Sequence, residues 1–174
     1  YETLGSPLDP TILLIMGFTA QLIAWSDKFC QMLVDQGFHV IRFDNRDCGL
    51  STKLDGVAAD PMAVMAAFLE NKPAPAVPYT LSDMALDAVG LLDHLGIDAA
   101  HIVGASMGGM IAQEIVRLAG DQIIKLVCYG TGPRGNIPGR FETIDQSREQ
   151  LKKNGLEITA NRIAKTWFIA KDKA

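Results

Sequence analysis

The chain is short of histidine, cysteine, aromatic rings and long apolar runs, and each shortage closes a class of explanation. Among 174 residues there are three cysteines, Cys30, Cys48 and Cys128. Such an odd, scattered set without ligand spacing argues against a disulfide scaffold and a metal centre, so no metal is expected and a reduced, cytoplasmic protein is. No apolar run approaches the roughly 18 residues that span a bilayer, and no membrane association is expected. A formal charge of -4, 7% aromatics and the lack of a basic cluster give no footprint for nucleic acid or anionic lipid. The chain opens on Tyr1, not methionine, so a signal peptide ahead of it stays an open question. Histidine is the most telling shortage: His39, His94 and His101 are the only three.

What the chain does contain is Gly104-Ala105-Ser106-Met107-Gly108-Gly109. A serine framed by glycines between an apolar strand and a helix is a way to expose a nucleophile, but Gly-x-Ser-x-Gly recurs by chance, so its flanks decide. Upstream, His101-Ile102-Val103 is a β-branched run suited to a buried strand. Downstream, Met110, Ile111, Ile115 and Leu118 recur at helical spacing, with Gln113, Glu114 and Arg117 free to face away. Ser106 therefore falls on a tight strand-to-helix turn, where small neighbours such as Gly104, Ala105 and Gly108 relieve crowding. The helix start directs unpaired N–H groups toward a developing oxyanion, and the Met107 N–H is the first expected donor.

Two other glycine-loop readings fail on the same residues. A dinucleotide fingerprint needs a second glycine where Ser106 stands and an acid closing the next strand, which here ends at Cys128-Tyr129-Gly130. A phosphate loop needs a lysine, and none lies between Lys72 and Lys125. No cofactor is expected.

One donor rarely holds a tetrahedral oxyanion, and its partner should follow an earlier strand. Thr11-Ile12-Leu13-Leu14-Ile15-Met16 is a near-continuous apolar run, as a strand covered on both faces requires, and it breaks at Gly17-Phe18-Thr19. The Phe18 N–H is the second expected donor, although the turn also reads as an ordinary strand-to-helix connection. Further along, residues 25–36 predict a helix with Phe29, Met32, Leu33 and Gln36 near one face, and His39-Val40-Ile41-Arg42-Phe43 a strand. Asp60 and Pro61 open a short helix, and the prolines within residues 72–78 impose irregular chain. Ser82 is expected to cap a helix whose apolar face is Met84, Ala88, Leu91, Leu92 and Leu95. Residues 123–129 predict a last strand, and residues 142–153 and 157–171 two helices. This βαβα order predicts an α/β fold with a mostly parallel sheet covered by helices on both faces. Gly17, Asp44, Ser106 and Gly130 then share one rim at the strand carboxyl ends, where ligands collect in such sheets.

These residues carry a resemblance to the α/β-hydrolase fold family. Leu14-Ile15-Met16-Gly17-Phe18 stands where that family has its oxyanion strand and turn. Arg42-Phe43-Asp44-Asn45-Arg46-Asp47-Cys48-Gly49-Leu50-Ser51 is similar to its aspartate-arginine-glycine-serine loop, and residues 102–109 match the nucleophile elbow. Within the family the segments most resemble small-molecule carboxylic ester hydrolases of the aclacinomycin methylesterase kind, with enol-lactone hydrolases next. The resemblance implies catalysis by Ser106, an oxyanion hole from Phe18 and Met107, and residues 1–139 as the core. Residues 140–174 would begin a helical cap after the fourth strand, with Trp167 and Phe168 as candidate pocket linings or as packing on the sheet.

Departures matter as much. Many members have histidine where Met16 stands. In this fold the chain order is serine, acid, histidine, yet all three histidines here precede Ser106. None is a credible base, and Asp145 reads as a solvated helical residue. The expectation is an internal piece of a longer protein, with residues 1–7 ending an early hairpin and the strands bearing acid and histidine missing. The leading function is hydrolysis of a small, fairly hydrophobic ester through an acyl-enzyme on Ser106. Lactone or carbon-carbon bond hydrolysis or acyl transfer on the same fold is the alternative, and a non-catalytic binding domain is a third.

Overall fold

A computed structural model describes residues 1–57, 60, 63–64, 66–67, 72–73, 75–132, 146, 148–155 and 158. The sheet has five strands in the order β1-β3-β2-β4-β5: β1 (Glu2–Leu4), β2 (Thr11–Ile15), β3 (His39–Arg42), β4 (Ala100–Ala105) and β5 (Ile123–Tyr129). β2 pairs in parallel with β3 and β4, and β4 with β5, while β1 runs antiparallel beside β3. Every residue of β2 and β3 is buried, the environment that an unbroken apolar run requires.

Strand alternation divides the core in two. Leu13, Ile15, Ile41 and Ile102 face α2 (Leu81–His94) and α3 (Met107–Ala119), which bury Met84, Ala85, Ala88, Leu92, Ile111, Ala112 and Ile115 against them. Ile12, Leu14 and Val40 face the other way, toward Cys30 of α1 (Asp27–Val34) and the partly buried Trp25, Leu33 and Val34. Helices thus cover both faces, as the sequence predicts.

Three local details differ from the sequence reading. α1 is shorter than residues 25–36 because Ser26 caps it by accepting from the Phe29 N–H at 3.3 Å, and it turns Cys30 inward while Met32 is exposed. α2 is capped by Thr80, not Ser82, through a capping box with Asp83. Ser82 instead donates to Glu114 Oε1 at 2.5 Å and so ties α2 to α3, which also turns Glu114 toward a neighbour and not toward open solvent. Asp60 does act as a cap, accepting from the Ala63 N–H at 3.0 Å, while Pro61 lies outside the described residues.

One charge sits inside the sheet. The Arg42 guanidinium bonds Glu2 Oε2 on β1 and Asp27 Oδ1 in the first turn of α1, each at 2.6 Å, and also donates to the Trp25 carbonyl. Both carboxylates stay in contact with water, so β1 and α1 are fastened to β3 without burying an uncompensated ion.

The chain divides into two compact units, Tyr1–Pro133 and Arg134–Ala174. In the second, residues 148–155 are helical, with Asn154 donating to Gln150 at 2.6 Å. Most of the expected cap, including Asp145, Trp167 and Phe168, lies outside the described residues. Among the described residues no helix is long and apolar enough to cross a membrane, and no cluster of His, Cys, Asp and Glu could hold a metal ion.

Among the described residues β5 is an edge strand, and its Ile124, Leu126, Val127 and Tyr129 are all exposed. Unpaired apolar edges recruit further strands. Sedimentation of this chain across micromolar concentrations is expected to show self-association, reduced in Val127→Lys. Monomeric behaviour throughout would contradict the expectation.

Candidate active site

The strand registers assemble the rim. Ile15 lies opposite Gly104 and Leu14 opposite Arg42. Continued past the strand ends, these registers set Gly17 beside Ser106 on one side and beside Asn45 on the other. The order β3-β2-β4 places this point where the connections reverse direction, the crevice at which open α/β sheets bind ligands.

Contact confirms the register. A Cβ built on Gly17 would stand 2.9 Å from Ser106 Cβ and 3.3 Å from Ser106 Oγ, so the turn after β2 rests directly on the serine. Gly104 and Gly108 are required for the same reason. A side chain on Gly104 would overlap the Gly108 carbonyl, and one on Gly108 would overlap the Ile15 carbonyl. Small residues here let strand, helix and neighbouring strand converge.

Ser106 has φ 55 and ψ -123, a backbone conformation costing roughly 1–3 kcal/mol, and its side chain is exposed. Its own N–H bonds the Tyr129 carbonyl at 2.9 Å, and its carbonyl accepts from Gly109 at 2.9 Å, which holds the turn between β4 and α3. Met107 is the first residue of the 13-residue α3. First-turn N–H groups have no intrahelical acceptor and sit at the positive end of the helix dipole. Phe18 is 71% exposed.

A cleft of about 140 Å³ is lined by Gly17, Phe18, Asn45, Arg46, Tyr79 and Met107, among others. A larger one, about 420 Å³, is bounded by Phe43, Arg46, Asp87 and Leu91 and includes neither Gly17 nor Met107. Neither lining includes Ser106, but the smaller cleft adjoins it through Gly17 and Met107.

The loop after β3 was legible as a turn, but its bonding was not. Asp44 Oδ1 accepts from the Leu22 N–H at 2.7 Å and Oδ2 from the Leu50 N–H at 2.9 Å, so one buried carboxylate joins two loops. Arg46 binds Asp87 of α2 through two bonds of 2.6 and 2.7 Å, and its guanidinium carbon lies 5.3 Å from the centre of the Tyr79 ring. Burial and the neighbouring Asp47 raise the Tyr79 pKa above its ordinary value. Asn45 Nδ2 donates to the Met16 carbonyl at 2.9 Å. Asn45, Arg46 and Tyr79 thus line the cleft; a place just past the carboxyl end of β3 could have signalled the first two, whereas Tyr79 lies just ahead of α2.

The histidines are engaged elsewhere. His39 is buried with Nδ1 3.3 Å from Thr11 Oγ1, His94 packs edge-on against Tyr1, and His101 edge-on against Phe38. His101 lies five residues before Ser106 along β4, about 16 Å at the rise of an extended strand.

Residues 10–161 match the alpha/beta hydrolase fold family, and the chain belongs to it. It is 34% identical to rhodomycin D methylesterase DnrP of Streptomyces peucetius over 125 residues, 72% of this chain and 36% of that protein. It is 22% identical to 3-oxoadipate enol-lactonase 2 of Acinetobacter baylyi over 168 residues, 97% of this chain and 53% of that one. A thermophilic esterase from Thermogutta terrifontis superposes with a TM-score of 0.60 at 27% identity, covering 92% of this chain and 50% of the other. The chain therefore spans about a third to a half of the length of these relatives.

Two measurements test the packing described here. Gly108→Ala pushes a methyl into the Ile15 carbonyl and should cost about 3 kcal/mol in urea denaturation. A loss within error would mean that α3 shifts freely on β2. Burial lowers the His39 pKa below its ordinary 6.5, against a weaker upward pull from Asp9. The fold thus favours neutral imidazole, a contribution present above about pH 6.5 and lost as pH falls through the lowered value. The melting temperature should decline over that acidic range, and His39→Gln should flatten the decline; an unchanged profile would contradict a neutral, buried His39.

Proposed function

We propose that the protein is a carboxylic ester hydrolase in which Ser106 is the nucleophile. The observation that carries this reading is the contact of Gly17 with a positive-φ Ser106 at the first turn of α3. Ser106 Oγ attacks the ester carbonyl carbon and passes its proton to a histidine base, and the carbonyl oxygen becomes an oxyanion held by the Phe18 and Met107 N–H groups. The oxyanion collapses, the alcohol leaves with a proton, and water then releases the acid from the acyl-serine by the same sequence. The chain's own histidines are occupied at Thr11, Tyr1 and Phe38, so the base is none of them.

Phe18, Tyr79, Met84 and Met107 give the cleft an apolar lining, which supports a small, fairly hydrophobic substrate. The methylesterase relative favours an ester substrate; the enol-lactonase, similar over 97% of this chain, makes lactone hydrolysis the second reading.

In the whole protein a fluorophosphonate probe should label Ser106, and Ser106→Ala should abolish labelling and lower ester turnover by about 10⁶-fold where serine and base act as a unit. A panel of methyl esters and enol lactones ranks the two substrate readings. Labelling or turnover that survives Ser106→Ala would refute the assignment.

A further inference from the structure

We propose that Asn45 is a positioning residue for the oxyanion turn, an inference that rests on the serine-hydrolase reading above. The register of β2 on β3 puts Asn45 beside Gly17, on the side away from Ser106. Its side chain is buried, with the residue only 4% exposed, and Nδ2 donates to the Met16 carbonyl at 2.9 Å. Oδ1 is equally buried and has no partner among the described residues. Exchanging the two amide atoms would set two acceptors against each other, so the orientation follows from the chemistry.

An asparagine that leaves half its bonding unmet in the interior is a poor filler, since an apolar side chain of similar size would occupy the space without that penalty. What it accomplishes is a grip on one carbonyl. Met16 C=O belongs to the peptide that enters Gly17, so holding it sets the plane from which the next N–H, that of Phe18, is directed. The same carbonyl presses on α3 from the other side: a Cβ on Gly108 would stand 2.8 Å from it. The Met16–Gly17 peptide is thereby held between the Asn45 amide and the start of the serine helix. Asn45 touches no reacting atom in this scheme and acts through the backbone. Asp44 and Arg46 fasten the loop on either side, to Leu22, Leu50 and Asp87, so the asparagine is presented from a fixed base.

Displacing a catalytic group by about 1 Å costs on the order of 10²-fold in rate. In the whole protein, Asn45→Asp keeps the shape and removes the donor, and Asn45→Ala removes it without adding a charge. Both should lower kcat about 10- to 100-fold with KM changed less than about threefold, and slow fluorophosphonate labelling in parallel. Melting temperatures are recorded on the same samples, and rates are expressed per folded protein. Unchanged kcat in either folded variant, with activity still lost in Ser106→Ala, would overturn the role of Asn45 alone. Activity retained in Ser106→Ala would overturn the serine reading beneath it.

Discussion

The close approach of three backbones at the carboxyl rim governs this structure. β2 ends on Ile15, α3 begins at Met107, and the turn between β4 and α3 carries Ser106; they meet where a single methyl on Gly17, Gly104 or Gly108 would collide. Hydrophobic burial brings the strands and helices together, but it is indifferent to small shifts. The glycines convert that general attraction into a defined separation, because packed interiors leave no space for a larger residue to be accommodated. Strain at Ser106, of order 1–3 kcal/mol, persists only because the flanking strand and helix are each anchored in the core.

The polar interactions extend the same logic outward. Arg42 fastens β1 and α1 to β3, Asp44 joins the loops at Leu22 and Leu50, and Arg46 fixes the following residues to α2. Each joins segments far apart in the chain through a single side chain that meets more than one partner atom. The resulting frame surrounds a cleft that mixes Phe18, Tyr79, Met84 and Met107 with Asn45 and Arg46.

Much of this was legible in the residues. The unbroken run at 11–16 announced a doubly covered strand, and the glycines at 104 and 108 with the β-branched residues before them announced the elbow. Helix ends were less legible: Thr80 and Ser82 are both good caps, and the choice fell to whichever hydroxyl could pair with Asp83 while the other reached Glu114. The inward face of α1 was not legible, because apolar spacing placed Met32 inside whereas Cys30 is the residue packed with Ile12, Leu14 and Val40. Asn45 carried only the signal of its place just past the carboxyl end of β3, since an asparagine in a turn-rich loop is ordinary until its amide is seen on the Met16 carbonyl.

The sequence by itself determined the class of fold, the strand-to-helix position of Ser106 and the order that puts all three histidines before it, because periodicity, turn chemistry and residue order are local or countable properties. Tertiary structure alone decided that Gly17 touches Ser106, that Asn45 holds the Met16 carbonyl and that Arg46 separates two clefts. Those facts depend on strand register and on contacts between segments 29 to 89 residues apart. Nothing in a local pattern specifies them; they follow only once β2 has been inserted between β3 and β4.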